Sequence, residues 1–366
     1  MALTAGIVGL PNVGKSTLFN AITKSKVEAA NYPFATIDPN VGVVEVPDHR
    51  LAEITKRIQP KKEVPTTFEF TDIAGLVEGA SKGEGLGNRF LSHIREVEAI
   101  CHVVRCFDDD SVTHVSNSVD PIRDIEIINL ELIFADLQTI ENRIGRLKSK
   151  VKSKDQEAIF ENNLLEKLKK TLEANNLVRS LDLSVDEAKI CKHFHLLTSK
   201  PVLYIANMSE EGVFNPEDNE YFQLVKAHAA KENSEVIPIC AKTEEDLSEL
   251  SDEEKSLFFE ELNISESGLD RVIKATYSLL DLQTYFTAGP TEVRAWTFKK
   301  GTKAPQAAGI IHSDFERGFI RAEVYSYDDL IKYGSEAGAK SAGRLRSEGK
   351  EYTVEDGDII LFRFNV

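Results

Sequence analysis

The run Gly9-Leu10-Pro11-Asn12-Val13-Gly14-Lys15-Ser16-Thr17 constrains this chain more than any other stretch. An apolar run, Ala5–Gly9, leads into it and a helical one, Thr17–Ile22, follows. Glycine, four residues, then Gly-Lys-Ser between a strand and a helix is a phosphate-binding loop. Its glycines let the backbone N–H groups from Asn12, Val13 and Gly14 through Thr17 converge on a β-phosphate. Lys15 brings a point charge to the β and γ oxygens, and the Ser16 hydroxyl is a ligand for Mg²⁺. A chance glycine turn would lack both flanks. A loop of this kind belongs at the carboxyl ends of parallel strands in an open α/β sheet.

Further strand-like runs occur at Thr67–Asp72, Ala99–Phe107, Val202–Asn207 and Glu235–Cys240, with helical patterns between them. That alternation predicts a parallel sheet with right-handed crossovers. It breaks between about residues 127 and 200. There Leu130, Ile133, Leu137, Ile140, Ile144, Leu147 and Val151 recur at steps of three and four, and Leu165, Leu168 and Leu172 repeat the spacing. Two long helices form an antiparallel hairpin inserted at about 128–198. Its tip carries Arg146, Lys148, Lys150, Lys152 and Lys154 with no acid before Asp155. Two readings of that tip stay open: a solvated coiled-coil face, or a contact for a polyanion. From about Leu282 the pattern changes again. Glu292–Phe298, Phe319–Val324 and Ile359–Phe364 read as strands, with Tyr327–Tyr333 and Gly338–Glu348 as turn or helix between them. The expected domains are therefore 1–280, interrupted by the hairpin, and a small α+β domain at 281–366.

A chain of 366 residues is too long for one ordinary core, and 42% hydrophobic with 28% charged residues is a globular composition. No run of eighteen apolar residues exists, so no membrane span is expected. The N-terminal apolar stretch runs into the glycine motif and reads as a core strand, not a signal peptide. Cys101, Cys106, Cys191 and Cys240 form no Cys-x-x-Cys pair, which fits a reduced, cytoplasmic setting. The net charge of −16 is uneven: residues 208–263 hold sixteen acidic and four basic groups, leaving about −4 for the remainder. The acid is local and does not exclude RNA contact elsewhere. Nothing points to reading of a DNA sequence. No clear interface pattern is visible, and a monomer is expected.

A second Mg²⁺ ligand should come from a mobile loop after the P-loop, where Thr36 in Asn31–Thr36 offers a hydroxyl. Asp72-Ile73-Ala74-Gly75 closes the strand Thr67–Thr71. Asp72 there holds Mg²⁺ directly or through water, and the Gly75 N–H senses a γ-phosphate; the plainer alternative is an aspartate capping a helix. Four glycines in Gly79–Gly87 favour a switch that is costly in entropy to order.

Together, Pro11-Asn12-Val13, DIAGL (Asp72–Leu76) and GASKGEGLGNRFL (Gly79–Leu91) resemble the Obg-like P-loop hydrolases. The chain is similar over nearly its whole length to their YchF subgroup, the Obg-like ATPases. YFTAG (Tyr285–Gly289), EVRAW (Glu292–Trp296), APQAAG (Ala304–Gly309) and Gly318–Ala322 extend the likeness. The resemblance implies a G-domain sheet, the inserted hairpin, and a C-terminal ubiquitin-like TGS domain. It also places a hydrophobic residue, Leu76, where many GTPases carry the glutamine that orients water. Turnover should then be slow, with the water positioned otherwise. His114, in the loop after a central strand, is one candidate; a surface-loop histidine is the bland alternative. Similar hydrolases with the asparagine at position 12 hold K⁺ beside the phosphates, so Asn12 is another.

The guanine-reading motif Asn-Lys-x-Asp is altered to Asn207-Met208-Ser209-Glu210. Guanine recognition rests on a bidentate aspartate, and a longer glutamate without the lysine disturbs that geometry. Asn207 serves as donor and acceptor, suited to adenine. The resemblance implies that ATP binds at least as well as GTP, with Cys240-Ala241-Lys242 in place of the Ser-Ala-Lys loop that backs the base. The leading expectation is a Mg²⁺-dependent ATPase switch, with K⁺ as a further cation, that contacts a ribosome or other ribonucleoprotein. A guanine-specific translation GTPase, a small-molecule kinase and a scaffold without turnover are the competing classes.

Overall fold

A computed structural model describes residues 4–24, 40–73, 86–109, 118–262 and 264–365. Two compact units emerge: residues 1–43 with 69–272, and residues 44–68 with 273–366.

The first unit is built on a six-stranded sheet of order β2-β4-β1-β5-β6-β7. Its strands are β1 (Thr4–Val8), β2 (Val41–Glu45), β4 (Thr67–Asp72), β5 (Ala99–Arg105), β6 (Val202–Asn207) and β7 (Glu235–Ile239). β1 runs parallel to β4 and β5, β5 to β6, and β6 to β7. Every residue of β5 and β6 is buried, as expected for parallel strands covered on both faces. Helices α1 (Lys15–Lys24), α3 (Leu86–Glu96), α7 (Glu220–Lys231), α8 (Ala241–Leu247) and α9 (Asp252–Leu262) complete its α/β pattern, and α10 (Gly268–Leu279) runs across the division into the second unit.

Between β5 and β6 the chain leaves for the hairpin. α4 (Pro121–Lys152) starts where Asp120 accepts from Arg123 N and Pro121 supplies a preset φ. Asp155 caps α5 (Gln156–Glu173) by accepting from Ala158 N. Ile133, Ile140, Leu164, Leu165, Leu168 and Leu172 form the seam, with Leu137, Ile144 and Leu147 packed beside them. Leu130 departs from the expected stripe and is 37% exposed. The first turns of α4 bury Ile125, Ile128 and Leu132, so Leu130 falls on the outer face. The return from the hairpin, which passes α6 (Val185–Lys192), is fastened by Asp136. Its buried carboxylate accepts from Leu197 N at 2.9 Å, Thr198 N at 2.8 Å and Thr198 Oγ1 at 2.6 Å.

The second unit has the sheet order β11-β10-β12-β8-β9-β3. Its strands are β3 (Glu63–Val64), β8 (Leu282–Ala288), β9 (Val293–Lys299), β10 (Phe319–Ser326), β11 (Arg346–Glu348) and β12 (Asp358–Phe364). Helices α2 (His49–Ile58), α11 (Ala304–Ile311), α12 (Ser313–Arg317), α13 (Tyr327–Tyr333) and α14 (Glu336–Ser341) belong with it. β8, a strand that the sequence reading passed over, pairs with both β9 and β12. A single cut at 280/281 does not describe the division. Residues 44–68 join this unit because Leu51 and Ile54 of α2 bury themselves with Phe286, Val293 and Leu330. Arg50 then bridges Asp48 at 2.7 Å and Asp356 at 2.6 Å.

Under the first sheet lies a file of buried polar groups: His102, Tyr204, His228, Glu232 and Arg179. His102 is fully enclosed, its ring 5.6 Å from Tyr204, and Arg179 reaches Glu232 at 2.9 Å. Burial pushes His102 down to about 3, with the Arg179 charge adding to the effect. The folded chain therefore keeps His102 neutral, while the unfolded chain protonates it below its ordinary value of about 6.5. The stability from this group is complete above that value and is lost as pH falls toward 3. His102→Leu should flatten the dependence of unfolding free energy on pH, between about pH 6 and 4, by roughly 1 kcal/mol per pH unit. Urea titrations across that range check it, and an unchanged slope would mean that His102 is not held neutral.

Candidate functional site

The loop Gly9–Ser16 links β1 to α1, so the amides of the first turn of α1 open onto the hollow the loop encloses. Two residues take left-handed backbone, Asn12 at φ 63° and Gly14 at φ 93°. Asparagine tolerates that region and glycine enters it freely. Gly9 also has no room for a side chain, since a Cβ would sit 2.9 Å from Val103 O. Val13 is buried and Lys15 is 9% exposed. The Lys15 ammonium rests on the Asp72 carboxylate at the end of β4. The candidate phosphate lysine and the candidate metal ligand, 57 residues apart in sequence, thus meet in one ion pair. Ser16 and Thr17 occupy the first turn of α1.

Asn207, the last residue of β6, is 4% exposed and joins two loops. Its Nδ2 donates to Val13 O at 2.9 Å, and its Oδ1 accepts from Ala241 N at 3.0 Å. A Cβ on Gly14 would run into Asn207 Nδ2, which is a second reason for glycine there. The phosphate loop and the loop expected to back the base are therefore held in register by one side chain. Met208 is 1% exposed and donates its N–H to Ile239 O at 2.8 Å; Cys240 is also buried. Glu210 and Lys242 lie on the exposed rim, their charges 3.7 Å apart. α8 is tied to α1 through Asn20, Lys24 and Glu245: Asn20 Nδ2 donates to Glu245 Oε1 at 3.1 Å, and Lys24 reaches Glu249 at 2.6 Å.

One organising residue escaped the sequence reading. Arg105 ends β5 at 1% exposure and donates to Phe107 O at 3.0 Å and Asp109 O at 3.1 Å. Its guanidinium lies 4.7 Å from the centre of the Phe107 ring. The loop leaving β5 is thereby shaped around a buried cation. An arginine closing an otherwise apolar strand was the available signal. Thr36, Gly75, Leu76 and His114 lie outside the described residues.

The sequence profile described as "50S ribosome-binding GTPase" matches residues 4–135. A second profile, described as "Protein of unknown function (DUF933)", matches residues 282–365. The "Ribosome-binding ATPase YchF" of Bacillus subtilis is 65% identical over 366 residues, covering all of both chains. The chain belongs to the YchF family. The YchF protein of Escherichia coli O157:H7, described in the same words, is 56% identical over the full length of both. Among solved structures, the YchF GTPase of Schizosaccharomyces pombe superposes with a TM-score of 0.88 at 43% identity, covering 99% of this chain and 97% of that one. A GTP-binding protein from Pyrococcus horikoshii OT3 has a TM-score of 0.61 at 20% identity over 99% of this chain and 100% of its own, a likeness of fold alone.

Within this YchF chain, removing the Asn207 amide leaves the buried Val13 carbonyl and Ala241 N–H without their partner. Each unsatisfied buried group costs about 1–3 kcal/mol. Asn207→Ala is expected to lower unfolding free energy by about 2–4 kcal/mol and to weaken nucleotide binding with it. Urea unfolding and calorimetric nucleotide titration measure both; a loss below about 1 kcal/mol would mean that the two loops hold each other without the amide.

Proposed function

We propose that this chain is a ribosome-binding ATPase: it binds ATP with Mg²⁺, hydrolyses it slowly, and exposes different contacts in its ATP and ADP states. The single observation that carries the reading is full-length likeness, at 65% identity, to a relative named for that activity. The Lys15–Asp72 pair across the P-loop hollow and the Asn207 tie support it.

The donors fit a magnesium ion. Ser16 brings a hydroxyl and Asp72 a carboxylate, both hard oxygen ligands, and Asp72 already faces the phosphate-binding lysine. Thr36 is the third proposed ligand. When bound, magnesium supplies neutralisation of charge at the β and γ oxygens. Lys15 must leave Asp72 to reach a phosphate, so loading exchanges one partner of each charge for another. Asn12 is proposed to help hold K⁺ beside the phosphates. Leu76 offers no hydrogen bond to water, so His114 is proposed to orient the nucleophile and turnover is slow. His114→Ala should cut turnover about tenfold or more while leaving nucleotide affinity unchanged. Undiminished single-turnover hydrolysis in that variant would remove the role.

For the base, Asn207, Met208, Glu210, Cys240, Ala241 and Lys242 are the proposed surroundings. Glu210 on the rim stands opposite Lys242, a poor arrangement for the bidentate grip that guanine requires. The relative from Schizosaccharomyces pombe is titled a GTPase, so GTP is the second reading. For the ribosome, Arg146, Lys148, Lys150, Lys152 and Lys154 are all exposed at the hairpin tip and make no ion pair among the described residues. Unpaired cations on a projecting lever suit a phosphate backbone. The proposed setting is the cytoplasm, where the four buried cysteines stay reduced, and the proposed state is a monomer.

Two measurements test this function together. ATP and GTP compete for a fluorescent nucleotide, in K⁺ and in Na⁺; ATP should bind at least as well as GTP. Cosedimentation with ribosomes in ATP, ADP and no nucleotide should show retention that depends on the nucleotide and drops severalfold in Lys150→Glu/Lys152→Glu. Retention in no state would sink the ribosome assignment, and a strong preference for GTP would sink the ATPase one.

A further inference from the structure

The first unit carries a second concavity, on the elements that follow the base loops. The turn Gly212–Phe214, α8 and α9 enclose two lobes of about 390 and 350 Å³. The lobes share Phe214, Thr243, Leu247 and Phe258, so they form one continuous groove. Leu250 and Leu262 extend its apolar floor, and Asp246 stands on its rim. Phe214 is 48% exposed in it, and Leu257, next to Phe258 on α9, is 66% exposed. Large apolar side chains gathered in a concavity are a site for burial, each side chain contributing about 1.5–3 kcal/mol when fully covered.

The surroundings of the groove state what covers it. Residues 208–263 hold sixteen acidic against four basic groups, most of the chain's net −16. Glu211, Asp246 and Glu261 are exposed and make no ion pair among the described residues, and Glu253 and Glu260 add exposed acid elsewhere on α9. By contrast Glu217, Glu232 and Glu249 are paired with Lys226, Arg179 and Lys24. Among the residues lining the two lobes, Glu244, Glu266, Asp246 and Glu210, the last beside Lys242, outnumber Arg271, and an apolar floor in these acidic surroundings calls for an occupant with an apolar ridge and cationic flanks. Nucleic acid meets repulsion here, and a neutral apolar ligand leaves the carboxylates without counter-charges. The chain's own cationic run is no match, because Leu147 within it is already packed against the hairpin core.

We propose that this groove docks a Lys/Arg-rich amphipathic helical segment of a partner protein. The apolar i, i+3, i+4 face lies on Phe214, Leu250, Phe258 and Leu262, and the basic face meets the acidic rim. None of these four residues belongs to the proposed nucleotide site, although Cys240 and Glu210 border both.

The test uses the full chain and three fluorescent peptides of about fourteen residues, some four helical turns. One has leucines along one face and lysines elsewhere, the second has the same composition shuffled, and the third has glutamates for lysines. The first should bind measurably, with the shuffled peptide about tenfold weaker and the acidic one not at all. Phe214→Ser and the surface pair Asp246→Lys/Glu261→Lys should each weaken the first peptide about tenfold while nucleotide affinity, a check on folding, is unchanged. Absence of binding to the wild-type chain overturns the proposal. So does shuffled peptide binding within about twofold of the ordered one, because charge alone would then explain it. A concentration-dependent dimer in sedimentation that Phe214→Ser abolishes also overturns it, since the occupant would be a second copy of this chain.

Discussion

The amide of Asn207 is the interaction on which the first unit's site depends. It sits where β6 ends, donates to the phosphate-binding loop and accepts from the loop at the start of α8. Three segments far apart in sequence are brought to one depth by a group with one donor and one acceptor committed inside the protein. Burial makes the tie strict, because neither Val13 O nor Ala241 N can turn to water instead. Gly14 is part of the same constraint, since any side chain there would displace the amide.

Around that tie the charges are arranged so that a nucleotide would rearrange them and not merely add to them. Lys15 and Asp72 hold each other now, and each is suited to a different part of a magnesium–triphosphate group. α8, which begins at the loop expected to back the base, also grips α1 through Glu245, so the helix that carries Ser16 is secured from its far end. Arg105 organises the loop leaving β5 by filling its carbonyls. Glu245 and Arg105 thus support the site without being expected to touch the ligand. The groove beyond α8 sits on the same scaffold but carries opposite electrostatics to the hairpin tip. Among the described residues, the acidic stretch and the hairpin tip hold exposed charges of opposite sign outside ion pairs, which suits the two different partners proposed.

Much of this was legible because the relevant signals are local. Glycine spacing, the lysine and serine after it, and the aspartate closing β4 are read within a few residues, and their strands are too apolar to be anything but sheet interior. The hairpin was legible for the same reason, from a repeat of three and four. Leu130 was misread because the face of α4 that is buried changes once the helix leaves the sheet, and periodicity alone does not say which neighbour a face meets.

By itself, the sequence determined the phosphate-binding loop, the α/β sheet, the inserted hairpin and a separate C-terminal unit, because each is written in short-range pattern. Only the tertiary structure decided that residues 44–68 belong with that C-terminal unit, since Leu51 and Ile54 find their apolar partners more than two hundred residues away. It also decided that Asn207 is spent on two loops, that Arg105 is buried, and that the acidic stretch surrounds an apolar groove. The physical reason is common to all of these. Burial, and the pairing it enforces, is a property of what packs against a residue, and spacing along the chain does not contain it.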